Sequence, residues 1–301
     1  MAERERVGVP AAAAGERLDR FLATALGSRA RAQRHIEAGL VTVDGGAQPA
    51  RHRLAGGETI AIAQEPPRAR AEDDTEPASY IIRYEDPHLL VVDKPAGVVV
   101  HPARGHRGGT LAQALAGRTA GGADPARAGI VHRLDRDTSG LLVVARSENV
   151  HRALRGLIAT RALERRYSAL VEGHPPAKSG TIDAPLGRDR RRRTLISTDT
   201  DCPRQARTHF ELARMLPTAT LLEVRLETGR THQIRAHLRA IGHPVAGDPD
   251  YGTPGLFGLP RQFLHATSLR FPHPVSGEEI YVESPLPDDL ASALDVAARK
   301  L

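Results

Sequence analysis

The sequence predicts an α+β protein built around a largely antiparallel, mixed sheet. Short apolar runs, each about the length of one buried strand, are spread over the chain after residue 80. Single helical patterns interrupt them without the regular strand–helix–strand rhythm of a doubly wound parallel sheet. In Leu222–Glu227, apolar and charged residues alternate, which is typical of an antiparallel strand with one buried and one solvent-facing side.

Apolar spacing defines the elements of this larger part of the chain. A first helix is marked by apolar residues at helical spacing: Val150, Leu154, Leu157 and Ile158. A second helix is predicted to begin with Thr231 as its N-cap and to end before Gly242. Six further runs are predicted strands: Tyr80–Tyr84, Leu89–Val92, Val98–His101, Ala128–Val131, Leu141–Ala145 and Tyr167–Val171.

The first part of the chain predicts a small separate domain. We assign residues 1–14 to an N-terminal extension, 15–63 to the domain, 64–79 to a linker rich in proline and charge, and 80–301 to the larger domain. The predicted elements of the small domain are a helix with apolar Leu18, Phe21, Leu22 and Leu26, a second helix from Ser28 as N-cap to Gly39 as stop, the strand Leu40–Val43, a turn at Asp44-Gly45 and the strand Thr59–Ala63.

The charge of the protein favours a nucleic-acid partner. Lys and Arg number 42 against 36 Asp and Glu, so the formal net charge is +6. All basic residues except Lys94, Lys178 and Lys300 are arginine, whose planar guanidinium pairs with phosphate and stacks on bases. A genome whose base composition favours arginine codons would produce the same bias.

Other features exclude some classes of protein. No stretch approaches the about 18 apolar residues that span a membrane, so we expect no membrane association. The N-terminal alanine run is flanked by charges, unlike a secretory signal. Cys202 is the only cysteine, which excludes internal disulfides and cysteine-based zinc clusters and fits a reducing cytoplasm.

Residues 131–140, VHRLDRDTSG, concentrate polar groups between two apolar runs. Burying these groups costs free energy unless a site or a hydrogen-bond network uses them. On spacing alone, a solvated surface turn with ion pairs is an equal alternative. His132 with Asp135 and Asp137 could also imitate metal ligands, although we expect no metal.

The same segment resembles the HRLDxxTSG signature of the RluA-type pseudouridine synthases. Further stretches resemble other blocks of that family, in family order: YED and KPAG within 84–97, HPARGHRGGTLAQAL at 101–115, RYSALVEG at 166–173, LETGRTHQIR at 226–235 with GDPDYG at 247–252, and LHA at 264–266. The stretch at 101–115 resembles the variant found in the RluD-like branch of this family. The resemblance implies a pseudouridine synthase fold over residues 80–287. It also implies isomerisation of uridine within RNA, without a cofactor.

The resemblance also assigns roles to single residues. Asp135 matches the catalytic aspartate, which acts either as a covalent nucleophile or as a base. Arg235 matches the arginine that pairs with this aspartate, and Tyr167 matches the aromatic residue that stacks on the target base. Arg133 matches the arginine that holds the target nucleotide out of its helix. Arg230, in the same block as Arg235, is a further candidate for substrate binding.

Residues 16–63 are similar to the S4 RNA-binding domain, in particular in SRARAQRHIEAGLVTVDG at 28–45. Arg31, Arg34 and His35 share one face of the predicted second helix and could contact RNA phosphates, with a solvated helix face as the alternative. Arg188 and Arg190–Arg193 form a second basic segment. One element departs from the family pattern: Pro203–Phe210 stands where relatives usually carry Gly-Lys-x-Ala-x-Thr-x-Phe.

Together these observations predict a pseudouridine synthase that acts on large-subunit (23S) ribosomal RNA. We expect it to work as a monomer in the cytoplasm, on RNA that could be presented within pre-ribosomal particles. One alternative is a synthase acting on transfer RNA, although many such relatives lack the S4 module. Another is a non-catalytic RNA-binding or ribosome-assembly factor that has kept the fold.

Overall fold

The structure is a computed structural model that describes residues 4–27, 29–63, 78–102 and 108–299. The chain divides into two compact units, Met1–Glu72 and Asp73–Leu301, here called the small unit and the large unit. No helix among the described residues is long and apolar enough to cross a lipid bilayer.

The small unit packs two helices against a three-stranded antiparallel sheet. Leu18 and Leu22 of the first helix share a buried cluster with Ile60 and Ile62 of the central strand. Its elements are β1 (Arg4–Gly8), α1 (Leu18–Ala25), α2 (Arg29–Glu37), β2 (Val41–Val43) and β3 (Thr59–Ala63), with sheet order β1-β3-β2.

The predicted turn and helices of the small unit are present, but its first strand was missed. Asp44 and Gly45 have φ of 48° and 83°, which is the conformation of a two-residue hairpin turn. The extension predicted over residues 1–14 contains β1, which pairs with β3 along its whole length. A short, charged segment such as Arg4–Gly8 lacks the apolar alternation of a strand, so only its partner reveals it. The predicted N-cap Ser28 lies outside the described residues.

The large unit is built on a nine-stranded sheet, and the predicted α+β class is confirmed. Eight strands run in the order β4-β5-β6-β13-β7-β12-β11-β8, and β14 pairs with β13. Only the pair of β6 and β13 is parallel among these described strands. The elements are β4 (Ile81–Glu85), β5 (Leu89–Lys94), α3 (Leu111–Ala114), β6 (Ser139–Ala145), α4 (Glu148–Ala159), β7 (Glu164–Glu172), β8 (Ser179–Asp183), β9 (Gly187–Arg188), β10 (Ile196–Ser197), β11 (Arg207–Met215), β12 (Ala219–Leu226), α5 (Gln233–Ala240), β13 (Leu264–Pro272), β14 (Glu279–Glu283) and α6 (Asp288–Ala298).

The central strands are buried on both faces, which explains their continuous apolar runs. Every residue of β5 and β6 is buried. On one face, α4 contributes Val150 and Leu154 to a cluster with Leu89 and Val91. On the other face, the alternate residues of the same strands belong to a larger cluster to which α5 and α6 also contribute. This two-sided core fixes the sheet edge from which the polar turn at 132–138 emerges.

Two predicted strands, Val98–His101 and Ala128–Val131, are not strands. The carbonyl groups of Val99 and Val100 instead accept hydrogen bonds from the first amides of α3. The second run makes only an isolated bridge between Ile130 and Val144. Gly129 has a φ of 77° there, and a Cβ at this position would lie 2.3 Å from the carbonyl oxygen of Ala145. This positive φ interrupts the extended backbone, and apolar content alone does not reveal it.

The predicted start of α5 at Thr231 is also wrong. The N-cap is His232, which has a φ of 53° and makes no capping hydrogen bond through its side chain. The buried side chain of Gln233 instead holds the segment before the helix, because its Oε1 accepts hydrogen bonds from the amide of Arg230 and the hydroxyl of Thr228. Gly242 follows the helix in the left-handed conformation, as predicted.

Candidate active site

The turn that carries Asp135 is held from the protein interior. Lys94 is completely buried, and its Nζ donates hydrogen bonds to the carbonyl oxygens of Arg136 (2.9 Å), Pro95 (2.8 Å) and Val98 (2.9 Å). Arg261 donates to the carbonyl oxygen of Asp137 at 3.0 Å. Two separate segments, around Lys94 and Arg261, thus fix the backbone just after Asp135.

The end of this turn requires a glycine. Gly140 has a φ of 109° where β6 lies directly against β13, and a Cβ there would be 2.2 Å from the carbonyl oxygen of Ala266. A larger residue would push the two parallel strands apart. Because β6 continues directly from the turn, Gly140 contributes to placing Asp135 at the sheet edge.

Arg235 faces Asp135 across 100 residues of sequence. Its Nη1 lies 3.4 Å from Oδ2 of Asp135, and the two side chains are 4% and 17% exposed. Asp248 is fully buried and binds the same guanidinium twice, at 2.6 Å through Nε and 2.8 Å through Nη2. Burial opposes the charge of Arg235, but Asp248, Asp135 and Asp250 outweigh it and raise the pKa of Arg235 above its ordinary value.

An aromatic residue completes the surroundings of Arg235. The ring centroid of Tyr251 lies 4.9 Å from the guanidinium carbon, a cation–π distance. The Tyr251 hydroxyl accepts a hydrogen bond from the amide of Ile196 in β10 at 2.9 Å and lies 3.0 Å from Nδ1 of His232. Burial raises the pKa of Tyr251 to about 12, so this hydroxyl keeps its proton. Arg235 therefore has little freedom to turn away from Asp135.

Asp135 opens into a cavity of about 560 Å³. Tyr167, Arg133 and Arg230 line the same cavity, and a small adjoining pocket of about 40 Å³ adds Arg235. The structure thus brings together all five site residues predicted in the large unit. The other two, Arg31 and Arg34, belong to α2 of the small unit, and their side chains lie outside the described residues.

The cavity wall is strongly cationic. Its carboxylates are Asp135 and Glu227, and Glu227 is paired with Arg161 at 2.8 Å and with His209 at 2.7 Å. Five arginines line the wall: Arg127, Arg133, Arg161, Arg165 and Arg230. This surplus of positive charge favours an anionic ligand.

Burial keeps two ring-bearing side chains of the cavity uncharged. Burial raises the pKa of Tyr167, which is 4% exposed. Burial lowers the pKa of His132 to about 3, with a further contribution from Arg165. Nε2 of His132 accepts a hydrogen bond from the amide of Val143 at 3.2 Å. No group of side chains with the arrangement of a metal site occurs among the described residues.

Comparison with known proteins identifies the family. A sequence model of the RNA pseudouridylate synthases matches residues 88–240. The chain is 48% identical to an uncharacterised RNA pseudouridine synthase of Chloroflexus aurantiacus, over 97% of this chain and 93% of that protein. It is 44% identical to the ribosomal large subunit pseudouridine synthase D of Nitrosomonas europaea, over 95% of this chain and 86% of that protein.

The chain belongs to the RNA pseudouridylate synthase family. The predicted likeness to the RluA-type and RluD-like members is thereby confirmed. Among solved structures, it is similar to human RNA pseudouridylate synthase domain containing 1, with a TM-score of 0.57 and 27% identity over 72% of this chain and 88% of that one.

Three residues of this synthase that surround the site were not singled out from the sequence. Asp248 anchors Arg235, Lys94 anchors the turn of Asp135, and Arg165 lines the cavity. Asp248 and Lys94 stand in the stretches GDPDYG and KPAG, which resemble family blocks but carry no role by themselves. Arg165 lies before the predicted strand Tyr167–Val171, so only the longer observed strand β7 places it on the same face as Tyr167.

Proposed function

We propose that this synthase converts uridine to pseudouridine in large-subunit ribosomal RNA, with Asp135 as its catalytic residue. The observation that carries the proposal is the pairing of Asp135 with the firmly held Arg235 at the edge of a cationic cavity. The bacterial relatives named ribosomal large subunit pseudouridine synthase D support this RNA class. A binding protein would gain nothing from a carboxylate in the path of an anionic ligand, so catalysis is favoured over a purely structural function.

The reaction explains why a carboxylate is needed. The C1′–N1 bond breaks, the base turns, and C1′ bonds to C5, which loses its proton while N1 gains one. Atoms and oxidation state are conserved, so the reaction needs no external oxidant or reductant. Asp135 acts at the sugar or the base, and Arg235 holds it in place. The exposed guanidinium of Arg133 is positioned to replace contacts that the target nucleotide loses on leaving its helix.

The activity is tested on ribosomal RNA carrying tritium at C5 of uridine. Release of tritium by the purified protein reports loss of the C5 hydrogen. Mapping of pseudouridines in cells that lack the protein then identifies the RNA. Loss of sites from large-subunit RNA supports the proposal, whereas loss of sites from transfer RNA alone would refute the RNA class.

We also propose that the small unit binds RNA as an S4-like domain. Its support is the S4-like sequence at 28–45 and the helix α2, on which Arg31 and Arg34 are three positions apart. Residues at this spacing lie on neighbouring positions of one helix face, where they can follow a row of phosphates.

Replacement of both arginines in Arg31→Gln/Arg34→Gln should weaken RNA binding at low salt. The slope of log affinity against log salt concentration should fall by about 1–2, because up to two phosphate contacts are lost. Filter binding over a salt series measures both quantities. Arg20→Gln on α1, an exposed position whose arginine is paired with Glu16, is the control. Equal affinity and slope for the double variant and the wild type would contradict this function.

Tyr167 should bind the target base through its ring. Tyr167→Phe keeps the ring and should retain RNA affinity, whereas Tyr167→Ala should lose about 1–3 kcal/mol of stacking. Affinity is measured alongside thermal stability, because Tyr167 also belongs to the hydrophobic core. If Tyr167→Ala binds RNA as well as the wild type, the residue serves only in packing. Normal binding with slow turnover in Tyr167→Phe would assign a proton-transfer step to the hydroxyl.

A further inference from the structure

Unsatisfied polar atoms concentrate at the wall of the catalytic cavity. Among the described residues of the cavity, three buried side-chain nitrogen atoms have neither a hydrogen-bond partner nor an ion-pair partner. They belong to His101, His132 and Arg165. Because buried polar groups are nearly always paired, such a cluster indicates a ligand that supplies the missing partners.

Arg165 is the most unusual member of this cluster. It is 3% exposed on β7, its Nε is buried without a partner, and no described carboxylate lies within ion-pair distance of its guanidinium. Arg165 lies two residues before Tyr167 on the same face of β7, and both side chains line the cavity. A buried unpaired cation destabilises a fold, so its presence calls for a ligand with negative charge or strong acceptors.

His132 supplies a second donor. Its Nε2 accepts the amide hydrogen of Val143, so the proton of the neutral ring resides on Nδ1. This Nδ1 is buried and has no partner. The cavity wall therefore presents two N–H groups, from Arg165 and His132, and both require an acceptor.

Position within the cavity distinguishes two kinds of acceptor. Arg133 and Arg230 are exposed at the cavity and suit phosphates, which keep part of their hydration. Arg165 and the Nδ1 of His132 are buried, and both residues line the cavity together with Tyr167 and Asp135. Only a part of the substrate that enters the cavity completely can reach them, and in a nucleotide turned out of its helix this part is the base.

We propose that Arg165 and His132 bind the carbonyl oxygens of the target uracil, and that Arg165 stabilises the negative charge of the base during the reaction. This inference rests on the proposed function. When the C1′–N1 bond breaks, its electron pair remains with the base and spreads over N1, O2 and O4. When C5 bonds to C1′, the base becomes neutral, and loss of the C5 proton together with protonation of N1 then completes the isomerisation. A fixed cation beside these oxygens stabilises the base most strongly while the base carries its negative charge.

The test uses Arg165→Met, which keeps length and removes the charge. The single-turnover rate of pseudouridine formation at saturating enzyme should fall about 10²-fold, while the dissociation constant of the RNA changes less than about threefold. Arg166→Met is the matched control, because its side chain projects from the opposite face of β7 and pairs there with Glu164 and Glu223. Arg165→Lys should restore part of the rate.

Replacing single substrate atoms identifies the contact. In wild type, 2-thiouridine or 4-thiouridine at the target position should slow the reaction, because sulfur is a weak acceptor. In Arg165→Met, the sulfur substitution that slows the wild type should not lower the reaction rate further. A normal rate in Arg165→Met would overturn the inference. So would weaker RNA binding with a flatter salt dependence at an unchanged saturated rate, since that result indicates a phosphate.

Thermal unfolding separates this function from a structural one. A residue needed for the fold would lower the melting temperature when replaced, whereas loss of an unpaired buried charge should leave it unchanged or raise it. A clear decrease for both Arg165→Met and Arg165→Lys would overturn the inference. Failure of the proposed function is recognised independently, because the wild type itself would then form no pseudouridine.

Discussion

Asp135→Asn should lower the rate of tritium release from labelled ribosomal RNA by at least about 10³-fold. The substitution preserves size but removes the negative charge together with most of the nucleophilicity and basicity. A loss of this size is typical when a principal catalytic group is removed. RNA affinity should be retained or increased, because a negative charge facing the anionic substrate is neutralised.

Asp137→Asn is the matched control, with the same change of charge in the same turn. Its carboxylate pairs with Arg136 at 3.0 Å, whereas Arg235 faces Asp135. We expect Asp137→Asn to remain active. Inactivity of Asp137→Asn together with normal release by Asp135→Asn would show that the other carboxylate carries the chemistry.

Asp248→Asn should have the largest effect on stability. Asp248 is fully buried, binds Arg235 through both oxygens and also accepts the amides of Asp250 and Tyr251. Loss of its charge leaves a buried guanidinium without its main partner, which costs about 3 kcal/mol of unfolding free energy. Urea unfolding measures this loss. Turnover of the folded fraction should fall at least about tenfold, because Arg235 no longer holds Asp135 in a fixed position.

Asp250→Asn provides the comparison for this prediction. Asp250 contacts the same guanidinium at 2.9 Å, but its side chain is 45% exposed. Solvent screens such a pair, so we expect a loss below about 1 kcal/mol. Similar losses for the two variants would mean that burial of Asp248 does not determine its contribution.

Strands were predicted well wherever apolar content coincided with burial on both faces. Leu89–Val92 and Leu141–Ala145 lie within β5 and β6. The prediction failed at Ala128–Val131 because of the positive φ of Gly129, and at Arg4–Gly8 because a distant strand supplies the pairing. These features depend on tertiary contacts, which local patterns do not contain.

The candidate site also contains residues that the sequence predicted and residues that only the fold reveals. Asp135, Tyr167 and Arg235 were singled out by resemblance to family blocks, and the structure places them around one cavity and its adjoining pocket. Their supports were not predicted. Asp248 and Lys94 act through hydrogen bonds that only the folded chain creates, and a buried charge looks no different in sequence from an exposed one.

The chain has 42 basic residues, and Lys94 is one of only three that are lysine. Its ammonium group has three donors that point outwards from one atom, and each meets a different carbonyl oxygen. The donors of a guanidinium lie in one plane and on three atoms, so they cannot converge in this way. Beneath Asp135, the shape of the cation therefore determines which residue the protein can use.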